Sequence, residues 1–499
     1  MQRQAGVLLP ISALRGGWGI GDFGKGADTF IQLISDMGFS VWQVLPITLI
    51  GEGNSPYSGE SSYAGNYALI DIEALHERLL SRKEKEESLY QGSPYKVDYD
   101  FALATKKRLL KLAFSRINSD DRVKINAFLK KNMKWLSSYA TYMAIKEESG
   151  TGFLNWSEGL KQRDTQALKA AQSRLSSEIA YYYFEQTIFY QQWENLKNRA
   201  AVAGVKIFGD LPVYVALESV EVWAEPEVFA LDTNFTPKKV AGVPPDYFAE
   251  DGQLWGNPIY NYKRMKEDGY SWWTDRLLHN LKLYDILRID HFRGLSEYWA
   301  VPAGAKTAKL GKWEKAPGMA IWKALNKLTD NPPIVAEDLG SIDEKVVRLL
   351  EKTGFPGMRV LQFGFDGNRA NPHLPYNYPI NSVAYTATHD NNTTLGWLYE
   401  LDSATREGVL NFLDVKGDWG QGGGLAPAVI AAIKAVMQSS AKLAIIPFQD
   451  LCGYGADARI NIPGVAKGNW EYRITQTAID EIAIPTILSI NRKYGRTMR

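Results

Sequence analysis

The chain is poor in cysteine: Cys452 stands alone among 499 residues. No disulfide can form within it, and a cysteine-rich metal site is excluded. Both facts suit a reducing compartment. Long apolar runs are missing too. None approaches the ~18–20 residues that span a bilayer. The opening MQRQAGVLLPIS has only a short run, without the apolar core of a signal peptide. It is also too brief, and too poor in Arg and Ser, for a transit peptide. Nor is one sign of charge in excess: 57 basic residues face 56 acidic ones, for a net charge of +1. A nucleic-acid binder or a polybasic membrane anchor would carry a basic surplus. No glycine-rich loop has Walker or dinucleotide spacing. Ser/Gly linkers, low-complexity tracts and repeats are absent as well. The expectation is therefore no nucleic acid, no membrane and a cytoplasmic location, with a plastid stroma as the alternative should a transit peptide have been removed.

What is present begins with bulk. The chain is 45% hydrophobic, enough to bury a large core. Length alone suggests roughly two to four domains. A barrel with insertions fits as well, since barrels run from about 200 to over 400 residues. Tryptophan (15) and tyrosine (26) are plentiful. Most of these rings will be core packing. Their flat faces and polar tips are also what sugar rings bind.

Eight short apolar runs end in a polar or charged residue and lead into a loop: Gly6–Pro10, Val41–Pro46, Val205–Asp210, Ile286–Asp290, Ile334–Glu337, Met358–Phe363, Ser382–Asp390 and Leu443–Asp450. Each reads as a strand buried on both faces. Helical patterns lie between them, as in alternating βα units. Phe30, Leu33, Ile34 and Met37 have helical spacing, with Gly38 placed to end the helix. After the fifth strand, Ser341 and Glu344 have capping-box spacing, and Gly354 ends that helix. Eight strands argue for an α/β chain folded as a (β/α)8 TIM barrel, with an open sheet as the alternative.

The spacing is uneven. About 160 residues separate the second and third strands, and about 76 the third and fourth. A plain βα unit needs far fewer. One catalytic unit over 1–499 is expected, with large inserted subdomains at 47–204 and 211–285. The first is mainly helical, with helices at Tyr99–Arg116, Asp121–Glu148 and Gln166–Ala200. In the second, Ala241–Pro258 is rich in Gly and Pro and reads as a long ordered loop.

Barrel enzymes carry their chemistry at the C-terminal ends of the strands. Five acids stand there: Asp210, Asp290, Glu337, Asp390 and Asp450. Glycosyl chemistry needs two carboxylates, one at the anomeric carbon and one to give and take a proton. On the fourth strand, Arg288 and Asp290 point the same way. A neighbouring guanidinium keeps a carboxylate ionised, as a nucleophile requires. A structural Arg–Asp pair explains that pattern equally well. Glu337 ends an apolar run beside other acids, which suits a general acid. Helix capping is the bland reading there, and Asp338 fits it better. His389 and Asp390 could exchange hydrogen bonds with sugar hydroxyls. Asp210 could equally be a turn residue.

Taken together, GDLPVYV, LRIDHFRG, AEDLG and THDN, in this order on strands three, four, five and seven, resemble the four short motifs of the α-amylase superfamily. GGWGIGDFG at 16–24, WQVLP at 42–46, NSPYSGESSYAGN at 54–66, AGVPPDYFAEDGQLWGNP at 241–258 and NPHLPYNYP at 371–379 resemble the 4-α-glucanotransferases of glycoside hydrolase family 77. These are the amylomaltases and disproportionating enzymes. The resemblance runs from about residue 6 to beyond 460. Ala387 and Asn392 depart from it, where glycine and aspartate are more usual.

The resemblance implies retaining transfer of α-1,4-glucan segments, with cyclisation within its range, and no cofactor or metal. Maltooligosaccharides, amylose, starch or glycogen chains would be donors, and glucose or another glucan the acceptor. It assigns Asp290 as nucleophile, Glu337 as acid/base and Asp390 as stabiliser of the distorted ring. Arg288 would hold Asp290, while His389 and Asp210 would bind the sugar at the cleavage point. The loop at 241–258 would cover the glucan with Asp246, Phe248, Gln253 and Trp255. Ser55, Tyr57 and Asn461 match further contact positions. It also implies no β-sandwich domain after the barrel. A hydrolase, or a silent glucan-binding protein, is the rival reading. The second would not need all three carboxylates.

Overall fold

The computed structural model describes residues 3–245 and 250–497. Asp246 and Phe248 lie outside the described residues. Eight parallel strands form one sheet: β1 (Gln4–Leu8), β2 (Val41–Gln43), β3 (Lys206–Leu211), β4 (Ile286–Ile289), β5 (Ile334–Ala336), β6 (Gly357–Val360), β7 (Ser382–Tyr385) and β8 (Leu443–Pro447). Their order is β6-β7-β8-β1-β2-β3-β4-β5, the cyclic order of a (β/α)8 TIM barrel. Nearly every strand residue is buried, which is why the runs are continuously apolar. The ladder is absent at one joint of the described cylinder, between β5 and β6. There the Ala336 N–H donates to the Pro356 carbonyl at 3.0 Å. The Asp338 side chain adds to it, accepting from the Met358 N–H at 2.6 Å and from Arg359 at 2.9 Å. Asp338 is therefore a buried tie across the barrel wall and not a helix cap.

Gly38 and Gly354 end their helices at φ 81° and 70°. The second helix, Glu344–Thr353, is capped by Asp343, whose carboxylate accepts from the N–H groups of Lys345 and Val346. The Ser341–Glu344 capping box does not form. Asp343 already occupies the cap position, and an aspartate there satisfies two orphan donors.

The 47–204 segment is mainly helical. Tyr99–Phe114 and Ser119–Ser149 match expectation closely. The third expected helix is two, Thr165–Arg174 and Ser176–Val202, parted at Leu175. Ala241–Pro258 corrects a further reading. It is a hairpin, with Lys239–Val243 antiparallel to Gln253–Pro258. The first of these strands also pairs with Glu297–Pro302, which pairs with Lys312–Lys315. A third insertion, after β4, thus completes this sheet. Beyond β8 lie two further helices, Gln476–Asp480 and Ile484–Lys493. Pro485 stands in the first turn of the second, where its missing N–H costs no bond. Among the described residues no strand follows β8. No described helix is long and apolar enough to cross a membrane.

Candidate active site

The strand ends converge on one arginine. Arg288, in β4, directs Nε and Nη2 to the two carboxylate oxygens of Asp210 in β3, at 2.9 and 2.7 Å. Its Nη2 also donates to Asp290 Oδ1 at 2.9 Å and to the Tyr57 hydroxyl at 3.1 Å. The β3–β4 register sets Asp210 directly beside Arg288. Asp290 lies two residues further along β4, on the same face, just past the end of the ladder. Burial opposes charge on Arg288, but Asp210, Tyr57 and Asp290 together raise its pKa well above the ordinary arginine value.

Tyr57 is the second hub. Its hydroxyl lies 2.6 Å from Asp210 Oδ2 and 2.8 Å from His389 Nε2. The carboxylate can only accept, so the tyrosine proton goes to Asp210. His389 must then donate through Nε2–H. Burial lowers the His389 pKa, which leaves Nδ1 unprotonated at neutral pH. The two rings stack at 5.3 Å and 10°, and Trp470 packs on both. Ser55 enters indirectly, as its hydroxyl accepts the Tyr57 N–H at 3.2 Å.

Asp390 completes this side. Its Oδ1 accepts from the Asn461 side chain at 2.6 Å, and Oδ2 lies 3.4 Å from His389 Nε2. Arg459 secures the backbone beneath, donating to the Asp390 carbonyl and to the Asn461 carbonyl, both at 2.7 Å. Neither Arg459 nor Trp470 stood out in the sequence. Arg459 lies two residues before Asn461, and that alternation was the available signal.

Glu337 faces Asp290 from β5, and its direct partners are main-chain N–H groups. Oε2 accepts from His291 and Oε1 from Leu339, each at 2.8 Å. Burial outweighs the nearby Arg288 charge and these bonds, and raises the Glu337 carboxyl to about 7. Burial raises the Asp290 carboxyl well above the ordinary aspartate value; Arg288 pulls it down, and Asp210, Glu337 and Asp390 push it up further. The hairpin reaches the residue that follows Asp290. Trp255 meets the His291 ring edge-on at 4.8 Å and donates through Nε1 to Gln253 Oε1 at 3.1 Å.

The expected site residues that the structure describes therefore form one connected group. Asp210 stands at the back of it, only 1% exposed. Asp450 does not join. It is buried against Thr386 and Thr394, accepting three hydrogen bonds from them, and its role is structural. Asn392 also turns away, toward Glu400. No His, Cys, Asp and Glu grouping among the described residues could hold a metal ion.

The chain is similar to known proteins over nearly its whole length. A family model described as 4-alpha-glucanotransferase matches residues 9–478. The 4-alpha-glucanotransferase of Synechocystis sp. is 42% identical over 506 residues, covering 99% of this chain and 98% of the relative. That of Aquifex aeolicus is 42% identical over 479 residues, covering 95% and 96%. The solved structure of the amylomaltase from Streptococcus agalactiae in complex with acarbose superposes with a TM-score of 0.96 at 36% identity, over the whole of both chains.

Proposed function

We propose a division of labour among the site residues on the premise that this chain belongs to the 4-alpha-glucanotransferase family, enzymes that move α-1,4-glucan segments from a donor to an acceptor. Asp290 is the nucleophile. Its carboxylate attacks the anomeric carbon of the donor while Glu337 gives its proton to the departing glycosidic oxygen. The C–O bond to the leaving chain breaks, and a covalent glucosyl ester on Asp290 forms with inverted geometry. Glu337, now ionised, takes the proton from the 4-hydroxyl of glucose or of another glucan. That oxygen attacks the same carbon, expels Asp290 and restores the α-linkage. Two inversions give net retention.

The observation that carries this reading is the asymmetry between the two carboxyls. Only Asp290 touches the Arg288 guanidinium, whereas Glu337 is held by neutral main-chain donors. When two close acids share one proton, the guanidinium fixes the negative charge on Asp290 and leaves the proton on Glu337. Asp390, steered by Asn461 and His389, takes hydrogen bonds from hydroxyls of the distorted ring. The hairpin carrying Gln253 and Trp255 lies over the glucan. It keeps water from the ester until a sugar arrives, which favours transfer over hydrolysis. The acting compartment is the cytoplasm or a plastid stroma, where maltooligosaccharides and storage glucans are found.

Incubation with maltotriose tests it. Free glucose plus a ladder extending above maltotriose is the expected result, and Asp290→Asn abolishes both. Products only shorter than maltotriose would mean hydrolysis, and the water-exclusion argument would fall.

A further inference from the structure

Directly after Asp290 the backbone takes a left-handed turn. His291 has φ 46° and ψ 51°, a conformation that side-chain-bearing residues rarely adopt. The turn has a visible product, because it aims the His291 N–H at Glu337 Oε2, 2.8 Å away. A strand that continued straight would give this N–H to the β5 main chain, as Leu287 gives its own to Pro333; the turn hands the Glu337 carbonyl to the Phe292 N–H, at 3.1 Å, and frees the His291 N–H for the carboxylate.

Two features hold the turn. On one side there is no side chain at Gly294. A Cβ there would stand 3.2 Å from His291 Cδ2, so the ring has the room that a larger residue would fill. On the other side the Trp255 ring stands edge-on to the imidazole at 4.8 Å and 84°. Trp255 also packs on Tyr214 at 6.1 Å. Its strand, Gln253–Pro258, pairs with Lys239–Val243, which pairs with Glu297–Pro302. The chain leaving the His291 turn is thus tied to the same hairpin that presses on the turn.

We infer that His291 is a positioning residue, clamped by Trp255 so that its peptide N–H stays on Glu337, and that a glucan seated under the hairpin adjusts the acid/base through this contact. The inference rests on the assignment of Glu337 as acid/base. A sugar that displaces the Trp255 ring loosens the clamp, and the N–H withdraws. A hydrogen bond to a carboxylate favours its ionised form. Withdrawal therefore makes Glu337 hold its proton more firmly when a donor is bound and a proton is needed. The titratable groups acting on Glu337 are Arg288 on β4, Asp290 just past its end and its own neighbour Asp338, while the His291 imidazole lies at the clamp. Burial keeps that imidazole neutral, at about 4.

The test is the alkaline limb of kcat/KM for maltotriose disproportionation, in wild type, His291→Val, His291→Asn, Trp255→Ala, Trp255→Phe and Glu337→Gln. Valine resists a left-handed backbone, and alanine at 255 removes the clamp. Both should move the limb to higher pH by roughly half a unit or more, the effect of one lost hydrogen bond. Asparagine tolerates the left-handed turn and phenylalanine keeps a ring against it, so these two should stay near wild type. If His291→Val and Trp255→Ala both leave the limb in place, the inference is overturned. A wild type that makes no ladder would sink the transferase reading itself. A limb that persists in Glu337→Gln would sink its acid/base assignment.

Discussion

Asp210 grips Arg288 through two parallel hydrogen bonds, and neither side chain is more than 3% exposed. The carboxylate stands behind the guanidinium and reaches the chemistry by aiming Arg288 at Asp290. Asp210→Ala would strip a buried cation of its main counter-charge, at a cost of about 3–5 kcal/mol in stability. Once Arg288 loses its aim, kcat should fall on the order of 100-fold, as for other small misplacements of catalytic groups. KM for maltotriose should change less than about threefold, because no direct contact with bound sugar is lost. Thermal melting and steady-state rates check both. A large rise in KM with kcat intact would put Asp210 against the sugar instead.

Glu337 must carry a proton when the donor binds, and burial places its carboxyl at about 7. Activity should therefore decline as pH rises through that value, with kcat/KM falling roughly tenfold per unit beyond it. Glu337→Gln should lower kcat on the order of 10²–10⁴-fold and leave no alkaline limb. Initial rates across the neutral range decide this. A wild-type profile flat above neutrality would mean that another group supplies the proton.

Glu185 offers a test of stability far from the chemistry. It is wholly buried in the helical insertion and accepts hydrogen bonds from Tyr139, Tyr181 and Gln186. Burial raises its carboxyl from 4.5 to about 7. The folded state thus holds the proton more tightly than the unfolded state does. Its stabilising share is fully present below about 4.5 and is lost as pH climbs through 7. Glu185→Gln mimics the protonated form. It should raise stability above neutrality by up to about 3 kcal/mol and change little near pH 4.5. Denaturant melts at the two pH values check it, and equal shifts at both would rule the titration out.

The barrel was legible because its strands are buried on both faces and end abruptly in acids. Asp290, Glu337 and Asp390 carried that signal, and so did Asp450. Nothing local separates a strand-end acid facing the cleft from one saturated by two threonines. Ala241–Pro258 reads as a loop in the sequence because it is rich in glycine and proline. Its outer partner, Glu297–Pro302, pairs with it across more than fifty residues of sequence. That pairing is a tertiary fact with no local pattern. Asp343 outcompeted Ser341 as a cap within one turn, below the resolution of spacing rules. The resemblance supplied Tyr57 and Asn461. Their attachment to Arg288 and Asp390 came only with the structure.

The joint between β5 and β6 has a mechanical meaning. Elsewhere the described cylinder is riveted by repeated main-chain bonds. Here one such bond and the Asp338 carboxylate do the fastening, over Gly357, where any side chain would collide with that carboxylate. A carboxylate can release and re-engage without unzipping a ladder. The wall is therefore most compliant one residue away from Glu337. Solvent should exchange the amide hydrogens of β5 and β6 sooner than those of the strands opposite, and the barrel can breathe at the acid/base while the floor under Arg288 stays rigid.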